Sequence, residues 1–280
     1  MDEFKDRLNK AINIIEDAEY MVIGAGAGLS TAAGIDYGGE RHKKYFSDFI
    51  EKYGFKDMYS SSFYSFKTPE EQWAYWARHI FANRYDVGKT DVYTKLQKLA
   101  RDRKYFVLTT NVDHQFWING FDDKRIFATQ GDYGQLQCSR GCHDTLYDNR
   151  NLVFELLEKT VDCRVPADML PYCPVCGELM DVHLRKDYSF VENRSWHQMN
   201  ERYSNFISDI DSKCVFLEIG VGFNTPTIIR RPFEFMTYQN PDASLIRLNL
   251  DFPEVPLEIK NQSVSFDENV EDILDSFLEI

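Results

Sequence analysis

The sequence is poor in positive charge and has no long apolar run. Lys and Arg number 32 against 45 Asp and Glu, which gives a formal net charge of −13. Because affinity for nucleic acid comes from clustered Lys and Arg, this balance argues against a nucleic-acid-binding function. No apolar stretch approaches the roughly 20 residues that a membrane-spanning helix needs. We therefore expect neither nucleic acid nor a membrane among the partners of this chain.

A secretory signal is also missing. Residues 1–7 read MDEFKDR and lead into an amphipathic helical pattern, whereas a signal peptide has an apolar core. We expect a cytoplasmic protein, whose six cysteines are reduced unless a metal holds them. With 43% apolar residues, 21 Phe and 16 Tyr, the 280-residue chain can build one large core, or a large domain and a smaller one.

A third absence lies in the glycine-rich loop after the first predicted strand, residues 20–23. Residues 24–35 read GAGAGLSTAAGI. Glycines let the backbone approach a pyrophosphate, and the free N–H groups of the following helical turn hold the anion. However, the dehydrogenase fingerprint would need its third glycine at Leu29, and no strand with an acidic end follows about 20 residues later. The loop therefore predicts a bound dinucleotide that is not used for hydride transfer.

Strands alternate with helices over most of the chain, which predicts an α/β fold with a doubly wound parallel sheet. Further strands are predicted at 105–110, 214–219 and 244–250, and helices at 3–18, 43–53, 69–85, 90–102 and 269–279. Region 137–183 interrupts the alternation and holds five of the six cysteines. We assign residues 1–36, 87–136 and 184–280 to a Rossmann-like dinucleotide-binding domain. The helical module 37–86 and the cysteine-rich module 137–183 form a small inserted domain.

Four of the cysteines form two close pairs that are thirty residues apart. They are Cys138 and Cys142, then Cys173 and Cys176. Two such pairs in turns are typical of an all-cysteine structural zinc site, in which no coordination position is open to a substrate. His143 is an alternative ligand, although we expect it to face solvent. A redox function of the second pair would leave the first pair unexplained. Cys163 and Cys214 are expected to take no part.

Further motifs follow in a fixed order. Residues 109–113 read TTNVD, residues 130–132 read QGD, residues 220–226 read GVGFNTP, and residues 248–251 read LNLD. Each lies at the carboxyl end of a strand, where an open α/β sheet binds its ligand. Together with the glycine loop and the four-cysteine module, this ordered set resembles the sirtuins over nearly the whole chain. The resemblance implies an NAD-binding Rossmann-like domain that cleaves NAD, with a small zinc-binding domain.

Three departures from the common deacylase sirtuins are informative. Gln130 stands where those enzymes have a histidine before a glycine, residues 34–39 lack the proline and arginine of the Gly-Ile-Pro-Asp-Phe-Arg run, and residues 220–222 read GVG where GTS is usual. These departures resemble the class M sirtuins, which are linked to macrodomain proteins. That branch implies a protein mono-ADP-ribosyltransferase whose acceptor is a lipoylated carrier resembling the glycine-cleavage H protein. A macrodomain partner would reverse the modification.

The resemblance also implies roles for individual residues. Asp113 would stabilise the oxocarbenium-like state that forms when the nicotinamide bond breaks, and Asn111 would hold the ribose hydroxyls or position the nucleophile. Gln130 can orient a hydroxyl group, but it cannot titrate, so it cannot be the general base of a deacylase. The residues implied to bind NAD are Gly26, Ala27, Gly28, Ser30, Ala33, Asp36, Thr110, Asn111, Asp113, Gln130, Gly220, Gly222, Asn224, Asn249 and Asp251.

Alternatives remain open at this point. His114 follows Asp113 directly and could supply the missing base. The other histidines with no partner motif, expected at the surface or in packing, are His42, His79, His183 and His197. An NAD-dependent deacylase is the alternative function, and a non-catalytic NAD sensor is the second one. The presence of both Asn111 and Asp113 speaks against the sensor, because binding alone needs no pair that stabilises an oxocarbenium ion.

Overall fold

The computed structural model describes residues 3–279. In that range the α-helices are α1 Glu3–Asp17, α2 Ala27–Ala32, α3 Gly39–Tyr53, α4 Met58–Ser61, α5 Pro69–Ile80, α6 Asp91–Ala100, α7 Gln115–Ile118, α8 Arg150–Lys159, α9 Arg194–Ser208, α10 Arg230–Gln239 and α11 Val270–Leu278. The strands are β1 Tyr20–Ala25, β2 Lys104–Thr109, β3 Ile126–Ala128, β4 Gly131–Cys138, β5 Tyr147–Asp148, β6 Met180–Leu184, β7 Cys214–Ile219, β8 Ala243–Leu248 and β9 Ser263–Phe266.

The main sheet contains six of the described strands in the order β3-β2-β1-β7-β8-β9, and all of its pairings are parallel. Every residue of β1 is buried, as expected for a central strand that is covered on both faces. Helices α1, α6 and α11 pack against one face of the sheet, and α9 and α10 pack against the other. The predicted doubly wound α/β fold is confirmed.

The register of the strands brings three loops together. Ala25, the last residue of β1, pairs with Thr109 at the end of β2 and with Ile219 at the end of β7. The glycine loop, the loop that begins at Thr110 and the turn that begins at Gly220 therefore leave the same edge of the sheet. The strand order reverses beside β1, and an open α/β sheet binds its ligand at such a switch point.

A second core lies outside the main sheet. The aromatic side chains of α3 and α5, such as Phe46 and Trp73, pack in one cluster with Leu136 and Val182 of the small antiparallel sheet β5-β4-β6. The helical module and the cysteine-rich module thus share a single apolar core. The predicted boundary between residues 136 and 137 falls within β4, a strand of the small sheet that begins at Gly131.

Several elements differ from their predicted bounds. The segment predicted as one helix over 69–85 is α-helical from Pro69 to Ile80 and forms one π-helical turn from Phe81 to Tyr85. Helix α9 was not predicted, because its apolar side chains, among them Trp196 and Tyr203, are only partly buried and are diluted by polar neighbours. No helix within residues 3–279 is both long enough and apolar enough to cross a lipid bilayer.

Candidate active site and cysteine cluster

The loops after β1, β2, β3 and β7 line a cavity of about 460 Å³, a volume within the usual range of small-molecule sites. Predicted site residues that line it are Gly26, Ala27, Ser30, Thr110, Asn111, Asp113, Gln130, Gly222 and Asn224. The structure therefore brings the three predicted catalytic residues, Asn111, Asp113 and Gln130, to one cavity, although they come from loops after two different strands.

Two of the predicted glycines, Gly28 and Gly220, lie behind the cavity wall and contact each other. The amide of Gly28 donates to the carbonyl oxygen of Gly220 at 2.9 Å. A Cβ on Gly28 would lie 2.5 Å from the Cα of Gly220, which itself has a left-handed backbone with φ of +61°. Only glycine at both positions allows the glycine loop and the turn after β7 to approach so closely.

Asp113 is the carboxylate of this cavity, and its side chain is only 5% exposed. Its Oδ2 accepts a hydrogen bond from the Ser30 hydroxyl at 2.5 Å, and its Oδ1 accepts one from the amide of Gln115 at 3.1 Å. Burial raises the pKa of Asp113 above its ordinary value, while the hydrogen bonds from Ser30 and Gln115 oppose this rise. A partly desolvated carboxylate is suited to stabilise a developing positive charge.

Asn111 lies beside Asp113 with its amide group held by two partners. Its Nδ2 donates to the carbonyl oxygen of Gly26 at 3.0 Å and to the hydroxyl of Tyr93 at 3.2 Å. Tyr93 comes from α6 and was not anticipated from the sequence, because it reads as one of the apolar positions of that helix. The glycine loop, the loop after β2 and α6 are thereby connected at one amide.

The other side of the cavity is aromatic and contains a buried histidine. His79 lies between two tyrosines, with Nδ1 at 3.1 Å from the Tyr75 hydroxyl and Nε2 at 2.9 Å from the Tyr133 hydroxyl. Tyr133 in turn contacts the hydroxyl of Tyr37 at 2.8 Å. Burial lowers the pKa of His79 to about 3, so its ring is neutral. We expected His79 at the surface or in packing, and it lines the cavity with Tyr37 and Tyr133.

His114 contacts Trp117 and Asp132 through its ring, which makes no hydrogen bond with Asp113. Its backbone is left-handed, with φ of 66°, and its ring stacks on Trp117 with 4.5 Å between the ring centroids. Its Nδ1 is hydrogen-bonded to Asp132. The cavity wall, as far as the structure describes it, does not include His114.

Other predicted NAD-binding residues also lie outside the cavity wall of the described chain. They are Gly28, Ala33, Asp36, Gly220, Asn249 and Asp251. Asp36 accepts a hydrogen bond from the amide of Gly38 at 2.9 Å. Asn249 donates from Nδ2 to the carbonyl oxygen of Val221 at 2.9 Å and accepts from the amides of Asp251 and Phe252. Its polar atoms therefore connect the turn after β7 to the loop after β8.

The four paired cysteines come together as predicted. The sulfur atoms of Cys138, Cys142, Cys173 and Cys176 all lie within 4.8 Å of one another. The Cys138–Cys176 and Cys142–Cys173 sulfur distances are 3.5 and 3.7 Å. A tetrahedral zinc ion with bonds of about 2.3 Å needs sulfur atoms about 3.8 Å apart, so the cluster fits such an ion.

His143 lies next to this cluster. We expected it to face solvent, but both of its ring nitrogens have partners in the protein. Its Nδ1 lies 3.1 Å from the sulfur of Cys142, and its Nε2 lies 2.9 Å from the Tyr147 hydroxyl. An imidazole in this place can donate a hydrogen bond to a thiolate sulfur. Cys163 and Cys214 are buried elsewhere, outside the four-cysteine group.

Comparison with known proteins agrees with this geometry. No protein-family model matches the sequence. The chain is 34% identical over 280 residues to a protein ADP-ribosyltransferase of Staphylococcus aureus, covering 99% of this chain and 89% of that protein. It is 30% identical over 275 residues to a Fusarium oxysporum protein named "Probable bifunctional ADP-ribose hydrolase/ADP-ribosyltransferase", with 92% of this chain covered but only 45% of the fungal protein.

Solved structures agree at the level of the fold. A Sir2 homologue in complex with ADP-ribose covers 100% of this chain and 96% of its own length, with a TM-score of 0.60 and 16% identity. A Sir2 homologue in complex with NAD covers 97% of this chain and 92% of its own, with a TM-score of 0.59 and 16% identity. The chain therefore has the sirtuin fold and belongs to the family of protein ADP-ribosyltransferases that the staphylococcal protein represents.

Proposed function

We propose that this protein transfers a single ADP-ribose from NAD to an acceptor protein. The observation that carries the proposal is the chemistry of the cavity: the buried carboxylate of Asp113 and the amide of Asn111 share it with Gln130, which cannot titrate. These groups favour the first step of sirtuin chemistry, the cleavage of NAD. They do not supply the base with which a deacylase activates a ribose hydroxyl.

The reaction breaks the bond between C1′ of the ribose and nicotinamide, and forms a bond between C1′ and a nucleophile of the acceptor. Nicotinamide leaves with the bonding electron pair, and the proton of the nucleophile passes to solvent. Asp113 stabilises the positive charge that develops on the sugar, and Asn111 and Gln130 orient the ribose. Because residue 130 has no titratable group, it cannot activate a ribose hydroxyl, and C1′ remains available to the nucleophile of the acceptor.

The acceptor that the family resemblance favours is a lipoylated carrier protein similar to the glycine-cleavage H protein. A macrodomain protein that removes the modification is the second partner. Both belong to the proposal, as does a structural zinc ion at the four-cysteine cluster. With four thiolate ligands, this ion would stabilise the small module and would offer no open position to a substrate.

The proposed function is tested by following both halves of NAD. With NAD labelled in the adenylate part, the wild-type protein should label a folded carrier, and more strongly after the carrier is lipoylated. Acetyl-lysine peptides should release little acetyl group. Robust NAD-dependent deacetylation, with no label on any protein, would instead establish the deacylase alternative. Binding of NAD with neither reaction, and with no release of nicotinamide, would establish the sensor.

Gln130→Ala should reduce transfer by about 10- to 100-fold, because one or two hydrogen bonds that orient the ribose are lost. Gln130→His is the matched variant, since it restores a titratable group without the missing Pro-Asp-Phe-Arg context. We expect partial deacetylation at most from it. Transfer rates for both variants are measured with the lipoylated carrier, and an undiminished rate in Gln130→Ala would contradict the orienting role.

Gly28→Ala should weaken NAD binding by at least about tenfold, since the new Cβ would force the glycine loop away from Gly220. Isothermal titration calorimetry with NAD measures the change. Gly88→Ala is the control, because no atom lies within 4 Å of the place where its Cβ would be and its φ is not positive. Equal NAD affinity of Gly28→Ala and the wild type would show that the contact with Gly220 does not shape the site.

A further inference from the structure

We propose that Tyr93 is a positioning residue of the transfer reaction. Its hydroxyl holds the side-chain amide of Asn111 so that the Asn111 Oδ1 is free for the substrate, and it connects this amide, through Ser30, to Asp113. The inference rests on the proposed function, in which Asn111 and Asp113 act on the ribose of NAD. Tyr93 itself lies behind the wall of the cavity as described.

Tyr93 reaches the site with a single polar atom. Its ring is fully buried in the core between the sheet and α6, where it meets the ring of Phe116 edge-on with 5.0 Å between centroids. Only the hydroxyl extends toward the loops, and it lies 3.2 Å from both the Ser30 Oγ and the Asn111 Nδ2. Because the ring is packed in the core of the domain, the position of this oxygen is set by the rigid part of the fold.

The direction of each hydrogen bond follows from the partners. The carbonyl oxygen of Gly26 can only accept, so Nδ2 of Asn111 must face it, and the second hydrogen of Nδ2 is directed to the Tyr93 oxygen. Ser30 donates its only proton to Oδ2 of Asp113. Ser30 must therefore accept from Tyr93, whose hydroxyl is the donor of that pair. In the series of hydrogen bonds from Asn111 through Tyr93 and Ser30, each donor therefore points toward the Asp113 carboxylate.

Two consequences follow for the chemistry. With both hydrogens of Asn111 engaged, its Oδ1 is the atom left to accept a hydrogen bond from a hydroxyl group of the substrate. Ser30, held by Tyr93, keeps its proton directed at the buried Asp113. Burial raises the pKa of Tyr93 well above its ordinary value, so the phenol remains a donor over the whole working pH range. Without this hydroxyl, the Asn111 amide would lose one of its two restraints.

Tyr93→Phe removes one oxygen atom and leaves the ring packing in place. We expect kcat for nicotinamide release to fall about tenfold, with KM for NAD within about twofold of wild type, because the lost hydrogen bond orients reacting groups and does not bind the dinucleotide. Tyr105→Phe is the matched control. Tyr105 is a buried tyrosine of the same core, and its hydroxyl accepts from the backbone amide of Asp122 at 2.9 Å, away from the cavity.

A double-mutant cycle distinguishes positioning from a general loss of stability. Because Tyr93 acts chiefly through Asn111, Tyr93→Phe should have a much smaller effect on nicotinamide release in an Asn111→Ala background, where only its contact with Ser30 remains. Independent, multiplying effects would overturn the proposal, as would a wild-type kcat in Tyr93→Phe or an equal loss in Tyr105→Phe. Nicotinamide release reports NAD cleavage whatever the acceptor is. If the proposed acceptor is wrong, the transfer assay fails, but the effect of Tyr93→Phe on NAD cleavage can still be measured.

Discussion

Replacing Asp113 with Asn should reduce NAD cleavage by about 100- to 1000-fold, the range observed when one preorganised electrostatic group of a catalytic site is removed. The side chain keeps its size but loses the negative charge that faces the developing oxocarbenium ion. The turnover of NAD, measured as nicotinamide release under single-turnover conditions, checks the result. Full turnover in Asp113→Asn would show that the carboxylate has no electrostatic role.

The Asp113→Asn variant should keep its fold, because the desolvation of the buried charge destabilises the folded state and the variant removes this charge. Burial raises the pKa of Asp113 in the folded protein, so the folded state binds more protons than the unfolded state between the two pKa values. The contribution of this group to stability therefore falls as the pH rises through that window. At neutral pH, Asp113→Asn should melt no lower than wild type. A marked loss of melting temperature would mean that the hydrogen bonds from Ser30 and Gln115 outweigh the desolvation of the charge.

The pH dependence of catalysis has the opposite sign. Asp113 acts as an anion, so activity should be lost as the pH falls through its pKa, which burial places above the ordinary aspartate value. Measuring the rate of nicotinamide release against pH locates this acidic limb.

Replacing Cys173 with Ala should have the largest effect on stability. Elemental analysis of the wild-type protein should find one zinc ion per chain, and the variant should lose it. Binding of structural zinc can be worth about 10–16 kcal/mol in small domains, which is comparable with the whole stability of a typical domain. The cysteine cluster shares its core with Leu136 and Val182. We therefore expect a strong fall in melting temperature, poor solubility and loss of transfer.

Cys214→Ala is the matched control, because Cys214 is equally buried but stands at the start of β7, outside the four-cysteine group. It should keep its zinc and much of its stability. Removing the metal from the wild type with a chelator should reproduce the Cys173→Ala melting curve. Freshly purified wild-type protein without zinc, or a Cys173→Ala variant as stable as Cys214→Ala, would contradict a structural metal ion at this cluster.

The sequence determined the doubly wound sheet and the cysteine cluster with little ambiguity. Strands such as 20–23 are apolar without interruption, as expected for strands that are buried on both faces of a parallel sheet. Loops that follow parallel strands must meet at one edge, so Asn111 and Asp113 could be placed in one cavity with the glycine loop. Two cysteine pairs in turns likewise indicate one site wherever the chain between them goes. The roles of the cavity residues remain predictions.

Only the tertiary structure decided which side chains support that cavity. Tyr93 and His79 read as apolar or packing positions of predicted helices, and Tyr133 lies in a segment for which no strand is predicted. Local periodicity records which face is buried and not what a buried hydroxyl or imidazole touches. The partners of Tyr93 lie 63 and 18 positions away in the chain, and only the packing of α6 against the sheet brings them within 3.2 Å. In the same way, Asn249 reads as a ligand at a strand end, but the turn of the chain after β8 directs its amide to the carbonyl of Val221.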